Sequence, residues 1–222
     1  MKIPITRIRV LVSALAVGLS FGVVSAFAAD FPAPPKEQGP MAGGTQTAVL
    51  AGGCFWGIEG VFERLKGVVD VVSGYSGGEK ETAHYESVGS GTTGHAESVK
   101  ITYDPKRISY GTLLEIYFSV AHDPTQLNYQ GPDHGSQYRS AIFYETPEQK
   151  RVAEEYIRSL DAAKTYPKRI VTQVVPLKAF YPAEEYHQNF MVRNPDNPYI
   201  EYWDLPKVAH LKKAFPELLA PR

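Results

Sequence analysis

Residues 47–58, TAVLAGGCFWGI, predict the first strand-to-helix junction of the fold, because they join an apolar run to a helical pattern. The apolar run predicts a strand, which the glycine pair Gly52-Gly53 ends. From Ile58 onward, apolar residues recur at i, i+3, i+4 and i+7, which predicts an amphipathic helix. The sequence therefore places Cys54 between a strand and the N-terminus of a helix.

Further along the chain, short β-rich runs alternate with segments of helical periodicity. Predicted strands cover residues 68–73, 99–103, 138–144 and 169–175, and predicted helices cover residues 110–121, 147–160, 183–192 and 207–214. This order of elements predicts an α+β fold with helices on one face of a mixed sheet and an irregular C-terminal tail.

Length and charge limit the class of protein. The 222 residues suit one domain with extensions, and the formal net charge of -1 comes without a basic stripe, so we expect no nucleic-acid partner. No coiled-coil or sheet-pairing segment is evident, and a monomer is expected. The six histidines lack the spacing of metal ligands and the single cysteine is isolated, so we expect no metal site.

The N-terminus has the pattern of a secretory signal. Residues 1–28 contain three basic residues, then an apolar stretch, then Ala26-Phe27-Ala28, which predicts cleavage before Ala29. An uncleaved membrane anchor is the alternative, although the apolar stretch is shorter than the roughly 20 residues that span a bilayer. We therefore expect an exported protein, periplasmic or secreted, that has no membrane contact once the signal is removed.

Two boundaries follow the predicted signal. Residues 29–46 are rich in proline and glycine and are predicted to be a flexible leader, and residues 47–222 are predicted to form one domain.

Cys54 is the only cysteine, so an internal disulfide is impossible. A helix N-terminus offers free N–H groups and a partial positive charge, which favour the nucleophilic thiolate. Phe55 and Trp56 follow at once and could form the wall of an apolar pocket beside the sulfur. The alternatives are an inert buried cysteine and rings that pack into the core.

Seven segments together resemble a known family. They are GCFWG at 53–57, SGYSGG at 73–78, HYE at 84–86, GHAE at 94–97, HDPT at 122–125, QGPDHGSQYRS at 130–140 and AEEYHQ at 183–188. In this order they resemble the A-type methionine sulfoxide reductases, and the match runs from about residue 47 to residue 206.

The resemblance implies a ferredoxin-like two-layer α/β sandwich that reduces the S epimer of methionine sulfoxide, free or within oxidised proteins. It implies that Cys54 attacks the sulfoxide sulfur while Glu97 protonates the oxygen, with burial raising the pKa of Glu97. The other implied site residues are the assisting hydroxyls of Tyr85 and Tyr138, the organising acid Asp133, and the methyl-binding rings of Phe55 and Trp56. The product at Cys54 is a sulfenic acid.

The chain departs from the family at its end. Many members carry further cysteines near the C-terminus that resolve the sulfenic acid, and this tail has none. We therefore expect an external thiol reductant, which is a thioredoxin-like protein, a glutaredoxin-like protein or a small thiol, and no metal or organic cofactor.

Two other functions fit the sequence. A cysteine hydrolase would need His95, His122 or His187 within hydrogen-bond reach of Cys54. A methionine-binding module would use the aromatic pocket alone and would keep its binding without the cysteine.

Overall fold

The computed structural model describes residues 31–38 and 43–221. The predicted signal at residues 1–28 lies outside them, so its cleavage or retention stays a prediction. Within the described ranges, none of the helices combines the length and the apolar character needed to cross a membrane.

The described domain alternates strands and helices in nearly the predicted order. The strands are β1 (Gln46–Ala51), β2 (Val68–Ser76), β3 (Ala96–Tyr103), β4 (Tyr129–Gln130), β5 (Asp133–His134), β6 (Ala141–Tyr144), β7 (Gln173–Pro176) and β8 (Phe180–Pro182). The helices are α1 (Phe55–Phe62), α2 (Tyr85–Gly89), α3 (Tyr110–Ile116), α4 (Pro147–Ala162), α5 (Phe190–Arg193) and α6 (Leu205–Ala214).

Six strands form one mixed sheet in the order β7-β6-β1-β3-β2-β8, and β4 pairs with β5 in a separate ribbon. Among the neighbouring pairs of the sheet, β6 and β7 are parallel and the others are antiparallel. The central four strands, with α1 between β1 and β2 and α3 between β3 and β6, give the ferredoxin-like arrangement. The predicted fold class is confirmed.

Strand β1 shows how the sheet separates two apolar layers. Ala48 and Leu50 point into the large core that also contains residues of α1, α3 and α4. Val49 and Ala51 point to the opposite face, where they pack in a smaller cluster with Phe143. This alternation is the period-2 pattern of a strand buried on both faces.

The predicted helix over residues 183–192 is wrong. A single 3-10 turn covers Glu185–His187, Asn189 then adopts a left-handed φ of 54°, and α5 begins only at Phe190. The side-chain amide of Gln188 donates to backbone carbonyls of Ser73 and Ala183, which holds the chain against β2 instead of continuing a helix. Side-chain hydrogen bonds to the backbone compete with helical ones in this way.

The strand predicted from residue 138 also begins later. Tyr138 ends a 3-10 turn, Ser136–Tyr138, and β6 starts at Ala141. Its side chain therefore extends from a turn beside the sheet and not from a strand.

Part of the predicted leader contacts the domain. Phe31 packs edge-on against Tyr156 and Tyr166, with ring centroids 6.4 and 6.3 Å apart. The carboxylate of Glu37 accepts a hydrogen bond from the backbone N–H of Tyr110, at the start of α3, at 2.7 Å. The expectation of a flexible leader therefore does not describe residues 31–38.

Candidate active site

Cys54 is the N-cap residue of α1, directly after Gly53, whose φ of +97° turns the chain out of β1. A Cβ at Gly53 would also lie 2.5 Å from Gln130, so this sharp turn requires glycine. The turn leaves Cys54 only 8% exposed.

The Cys54 thiol has a pKa well above its ordinary value. Burial is the main cause, Glu97 adds to it when it is ionised, and the backbone N–H of Trp56 acts in the opposite direction. We expected the helix N-terminus to favour the thiolate. That effect is present at Trp56 but is outweighed, because a buried charge loses its hydration.

Glu97, in β3, reaches the first turn of α1 from the strand next to β1. Its side chain is 3% exposed, and Oε2 accepts a hydrogen bond from the backbone N–H of Phe55 at 3.1 Å. Burial raises the pKa of Glu97 to about 8, while the Phe55 hydrogen bond lowers it and Asp133 raises it further. The predicted direction of this pKa is confirmed, and the carboxyl group holds its proton at neutral pH.

Tyr85 and Tyr138 face the same two groups. Burial raises the pKa of both phenols, and Glu97 and Cys54 each add to the increase. Both hydroxyls therefore keep their protons and can donate hydrogen bonds near the sulfur. Glu184 fixes the start of α2, since its two carboxylate oxygens accept from the Tyr85 backbone N–H at 2.9 Å and the Tyr75 hydroxyl at 2.8 Å.

Asp133 lies in the ribbon strand β5 and is bound from the C-terminal segment. The hydroxyl of Tyr199 donates to its Oδ2. Burial raises the pKa of Asp133, although this hydrogen bond and the ammonium of Lys207 lower it. Tyr199, which the sequence did not predict as a site residue, therefore holds the Asp133 carboxyl group in place.

The two rings after Cys54 have different surroundings. Phe55 is completely buried, with ring centroids 5.9 Å from Tyr75 and 5.1 Å from His187. Trp56 is partly exposed and stacks on Phe190 at 3.7 Å and 9°. Of the two rings, Trp56 is therefore the one that is partly open to solvent, whereas Phe55 lies within the core.

The indole of Trp56 is held from two further directions. Its Nε1 donates to Nδ1 of His187 at 3.2 Å, and the ring of Tyr199 meets it edge-on at 5.8 Å. Sequence reasoning missed Tyr199 and Phe190, and it did not place His187 beside Trp56. The signal available was the aromatic content of the tail, which does not reveal a tertiary contact.

The three histidines of the hydrolase alternative have other partners. His95 accepts from the Gly78 backbone N–H and donates to the Glu79 carbonyl, at 3.2 and 3.0 Å. His122 contacts the Tyr117 carbonyl at 3.0 Å and the Ser140 hydroxyl at 2.7 Å.

Burial lowers the pKa of His122 to about 4 and also lowers that of His187. Within the described ranges, no hydrogen bond links a histidine ring to Cys54, and no group of three or more histidine, cysteine or acidic side chains is arranged to hold a metal ion. The geometry therefore gives no support to a cysteine–histidine pair.

Residues 46–218 match the family model described as peptide methionine sulfoxide reductase. The chain belongs to this family.

Two relatives extend the match over most of the chain. A peptide methionine sulfoxide reductase of Mesorhizobium japonicum is 61% identical over 179 residues, which is 81% of this chain and 92% of that protein. A peptide methionine sulfoxide reductase of a Synechocystis species is 50% identical over 208 residues, covering 92% of this chain and 97% of the relative.

Solved structures of the family share the fold. Methionine sulfoxide reductase A of Corynebacterium diphtheriae superposes with a TM-score of 0.61 at 34% identity, covering 75% of this chain and 86% of that one. Reduced Mxr1 of Saccharomyces cerevisiae gives a TM-score of 0.64 at 34% identity, covering 69% of this chain and 87% of that one.

Proposed function

We propose that the chain reduces the S epimer of methionine sulfoxide to methionine, free and within oxidised proteins, with Cys54 as nucleophile. Membership of the peptide methionine sulfoxide reductase family supports the reaction class, which is that of a protein-repair oxidoreductase. The observation that carries the assignment is the Glu97 carboxyl group, which holds its proton at neutral pH and contacts the residue after Cys54.

The first step transfers one oxygen atom. The sulfur of Cys54 attacks the sulfoxide sulfur while Glu97 donates a proton to the sulfoxide oxygen, which makes the sulfoxide a better electrophile. The hydroxyl group then passes to the Cys54 sulfur while the S–O bond of the substrate and the transient sulfur–sulfur bond break, so methionine leaves and Cys54 becomes a sulfenic acid. Two electrons pass from the cysteine sulfur to the sulfoxide, and the thiol proton of Cys54 passes to Glu97 and restores its carboxyl group.

The remaining site residues orient the substrate. The hydroxyls of Tyr85 and Tyr138 donate to the sulfoxide oxygen, since their raised pKa values keep them protonated. Asp133, held by Tyr199, orders polar groups of the substrate or water. Trp56 receives the methyl group, and Phe55 supports this pocket from behind.

An external thiol completes the cycle. Cys54 is the only cysteine, so the sulfenic acid has no internal thiol to react with. A first thiol displaces water to form a mixed disulfide with Cys54, and a second thiol releases Cys54 and leaves as the oxidised disulfide. A thioredoxin-like protein, a glutaredoxin-like protein or a small thiol supplies both equivalents.

The same chemistry is proposed to operate outside the cytoplasm. The signal-like composition of residues 1–28 supports export, to the periplasm or the medium. N-terminal sequencing of the protein from its native host tests this proposal. A mature N-terminus at Ala29 supports cleavage, whereas a retained Met1 favours the membrane anchor.

The function is tested by incubating the protein with the separate S and R epimers of methionine sulfoxide and dithiothreitol, and by measuring methionine. We expect release from the S epimer alone and none with Cys54→Ser. If neither epimer reacts while the protein is folded and Cys54 is reduced, the reductase assignment is overturned. Binding of the S epimer without turnover would then favour the methionine-binding module.

A further inference from the structure

An ion pair that the reaction does not use directly lies beneath α1. Asp204 ends the π-helical turn Ile200–Asp204, is completely buried, and pairs through Oδ1 with Nζ of Lys207 at 2.9 Å. Its other oxygen, Oδ2, is buried and has no hydrogen-bond partner among the described residues. A buried carboxylate with one free oxygen is costly, and such groups are more frequent at functional sites than elsewhere.

The pair lies directly against the helix that Cys54 begins. A Cβ added to Gly57, in the first turn of α1, would lie 2.1 Å from Oδ1 of Asp204 and 2.7 Å from Nζ of Lys207. Any larger residue at position 57 would displace the pair. Glycine at this position therefore lets a carboxylate and an ammonium approach the backbone three residues after the nucleophile.

The ionisable groups around Cys54 are mostly acidic. The carboxyl groups come from β3, β5 and the π-helical turn. The phenols come from α2, the 3-10 turn before β6 and the start of the π-helical turn, and the ammonium comes from α6. These groups are Glu97, Asp133, Asp204, Tyr85, Tyr138, Tyr199 and Lys207. The neutral rings of His122 and His187 also flank the site.

Asp204 raises the pKa of Cys54, after the larger contributions of burial and Glu97. Lys207 acts against the acids, because it lowers the pKa of both Asp133 and Asp204.

We propose that Asp204 and Lys207 are positioning residues that set the charge around Cys54. Asp204 holds the Lys207 ammonium under the first turn of α1, and there the ammonium offsets the negative charge of Asp133 and Asp204. The two members of the pair act on the nucleophile with opposite sign. This inference refines the proposed function, and it concerns the reactivity of Cys54 before any substrate binds.

Alkylation of Cys54 by iodoacetamide as a function of pH tests the inference without substrate or reductant. Because Cys54 is the only thiol, the modified mass reports this site alone. Lys207→Met should slow alkylation at a given pH, and Asp204→Asn should speed it. Each shifts the profile by about one pH unit, the size of a charge interaction over several ångströms in a partly polar interior.

Two further variants separate charge from structure. The double variant Asp204→Asn with Lys207→Met removes both charges and should return the profile close to that of the wild type. Lys213→Met, an exposed lysine near the end of α6, removes the same charge away from the site and should leave the profile unchanged.

The sign of the shifts decides the outcome. If the pair is purely structural, the alkylation profiles of both single variants shift in the same direction, and that result overturns the proposal. Profiles that are unshifted in both variants also overturn it. If a single variant fails to fold by circular dichroism, the double variant decides: a profile far from the wild type overturns the inference. If the wild-type protein does not reduce the S epimer while the two single variants show opposite alkylation shifts, the proposed function alone is rejected.

Discussion

Oε2 of Glu97 lies 3.1 Å from the backbone nitrogen of Phe55, the residue that follows Cys54. Strand β3 lies beside β1 with Val99 paired to Leu50, so the acid reaches the end of β1 from the adjacent strand. The register of the sheet therefore sets the distance between the proton donor, which β3 carries, and the nucleophile at the end of β1.

Replacement of Glu97 by Gln should lower the rate of methionine sulfoxide reduction about 100-fold or more, since Gln has no proton to transfer. In the wild type, kcat/KM should fall as pH rises through about 8, where Glu97 loses its proton. The Gln variant should lack this fall, because the group that titrates has been removed. Steady-state kinetics across this pH range provide the measurement, and a variant with wild-type rates would exclude Glu97 as the acid.

The same substitution should stabilise the fold at neutral pH. In the unfolded chain Glu97 ionises near its ordinary pKa of 4.5, whereas in the folded protein it keeps its proton up to about 8. Stability is therefore lost as pH rises between these values, and Gln removes that loss, which amounts to a few kcal/mol at roughly 1.4 kcal/mol per pKa unit. Urea unfolding measures the gain, with exposed Glu81→Gln as a control that should change nothing.

Tyr199→Phe should reduce kcat/KM roughly 3- to 10-fold, since a hydrogen bond is worth about 1 kcal/mol. The variant removes the hydroxyl that donates to Asp133 and keeps the ring that meets Trp56 edge-on. Tyr202→Phe is the matched control, because Tyr202 is 72% exposed and its variant should react like the wild type. Equal rates in both variants would mean that Asp133 needs no support from the tail.

His187→Phe should weaken substrate binding by loosening Trp56. Phe keeps an aromatic ring but cannot accept the hydrogen bond from the indole Nε1. We expect a several-fold increase in KM and a loss of about 1 kcal/mol in the free energy of unfolding. Trp56→Phe removes the same hydrogen bond from the other side, so the double variant should show less than the sum of the two losses. Strict additivity would contradict the contact.

Phe31→Ala should lower the free energy of unfolding by about 1–3 kcal/mol, because it exposes the edges of Tyr156 and Tyr166. Urea unfolding of the chain from Ala29 onward measures this loss. Val69→Ala, at a residue that is 63% exposed, is the control and should cost little. Equal stability of Phe31→Ala and the wild type would restore the prediction of a flexible leader.

Apolar periodicity predicted strands and helices correctly where an element is long and its apolar face is buried. The four central strands and helices α1, α3 and α4 were predicted from periodicity, and their order gave the fold class. The prediction failed over residues 183–192, where helical spacing was present but Gln188 bonds to β2 and Asn189 turns left-handed. Helix α2 has only five residues, too few for a periodic signal.

The sequence by itself determined that one cysteine stands at a strand-to-helix junction, that this sequence offers no second thiol to resolve a sulfenic acid, and that the family motifs follow one another along the chain. Tertiary structure alone decided which residues beyond those motifs reach Cys54. Tyr199, Asp204 and Lys207 come from a segment about 150 residues away, and packing against Asp133 and Gly57 brings them to the site. Short-range periodicity encodes which face of an element is buried, but the contact between distant segments depends on how their faces fit together.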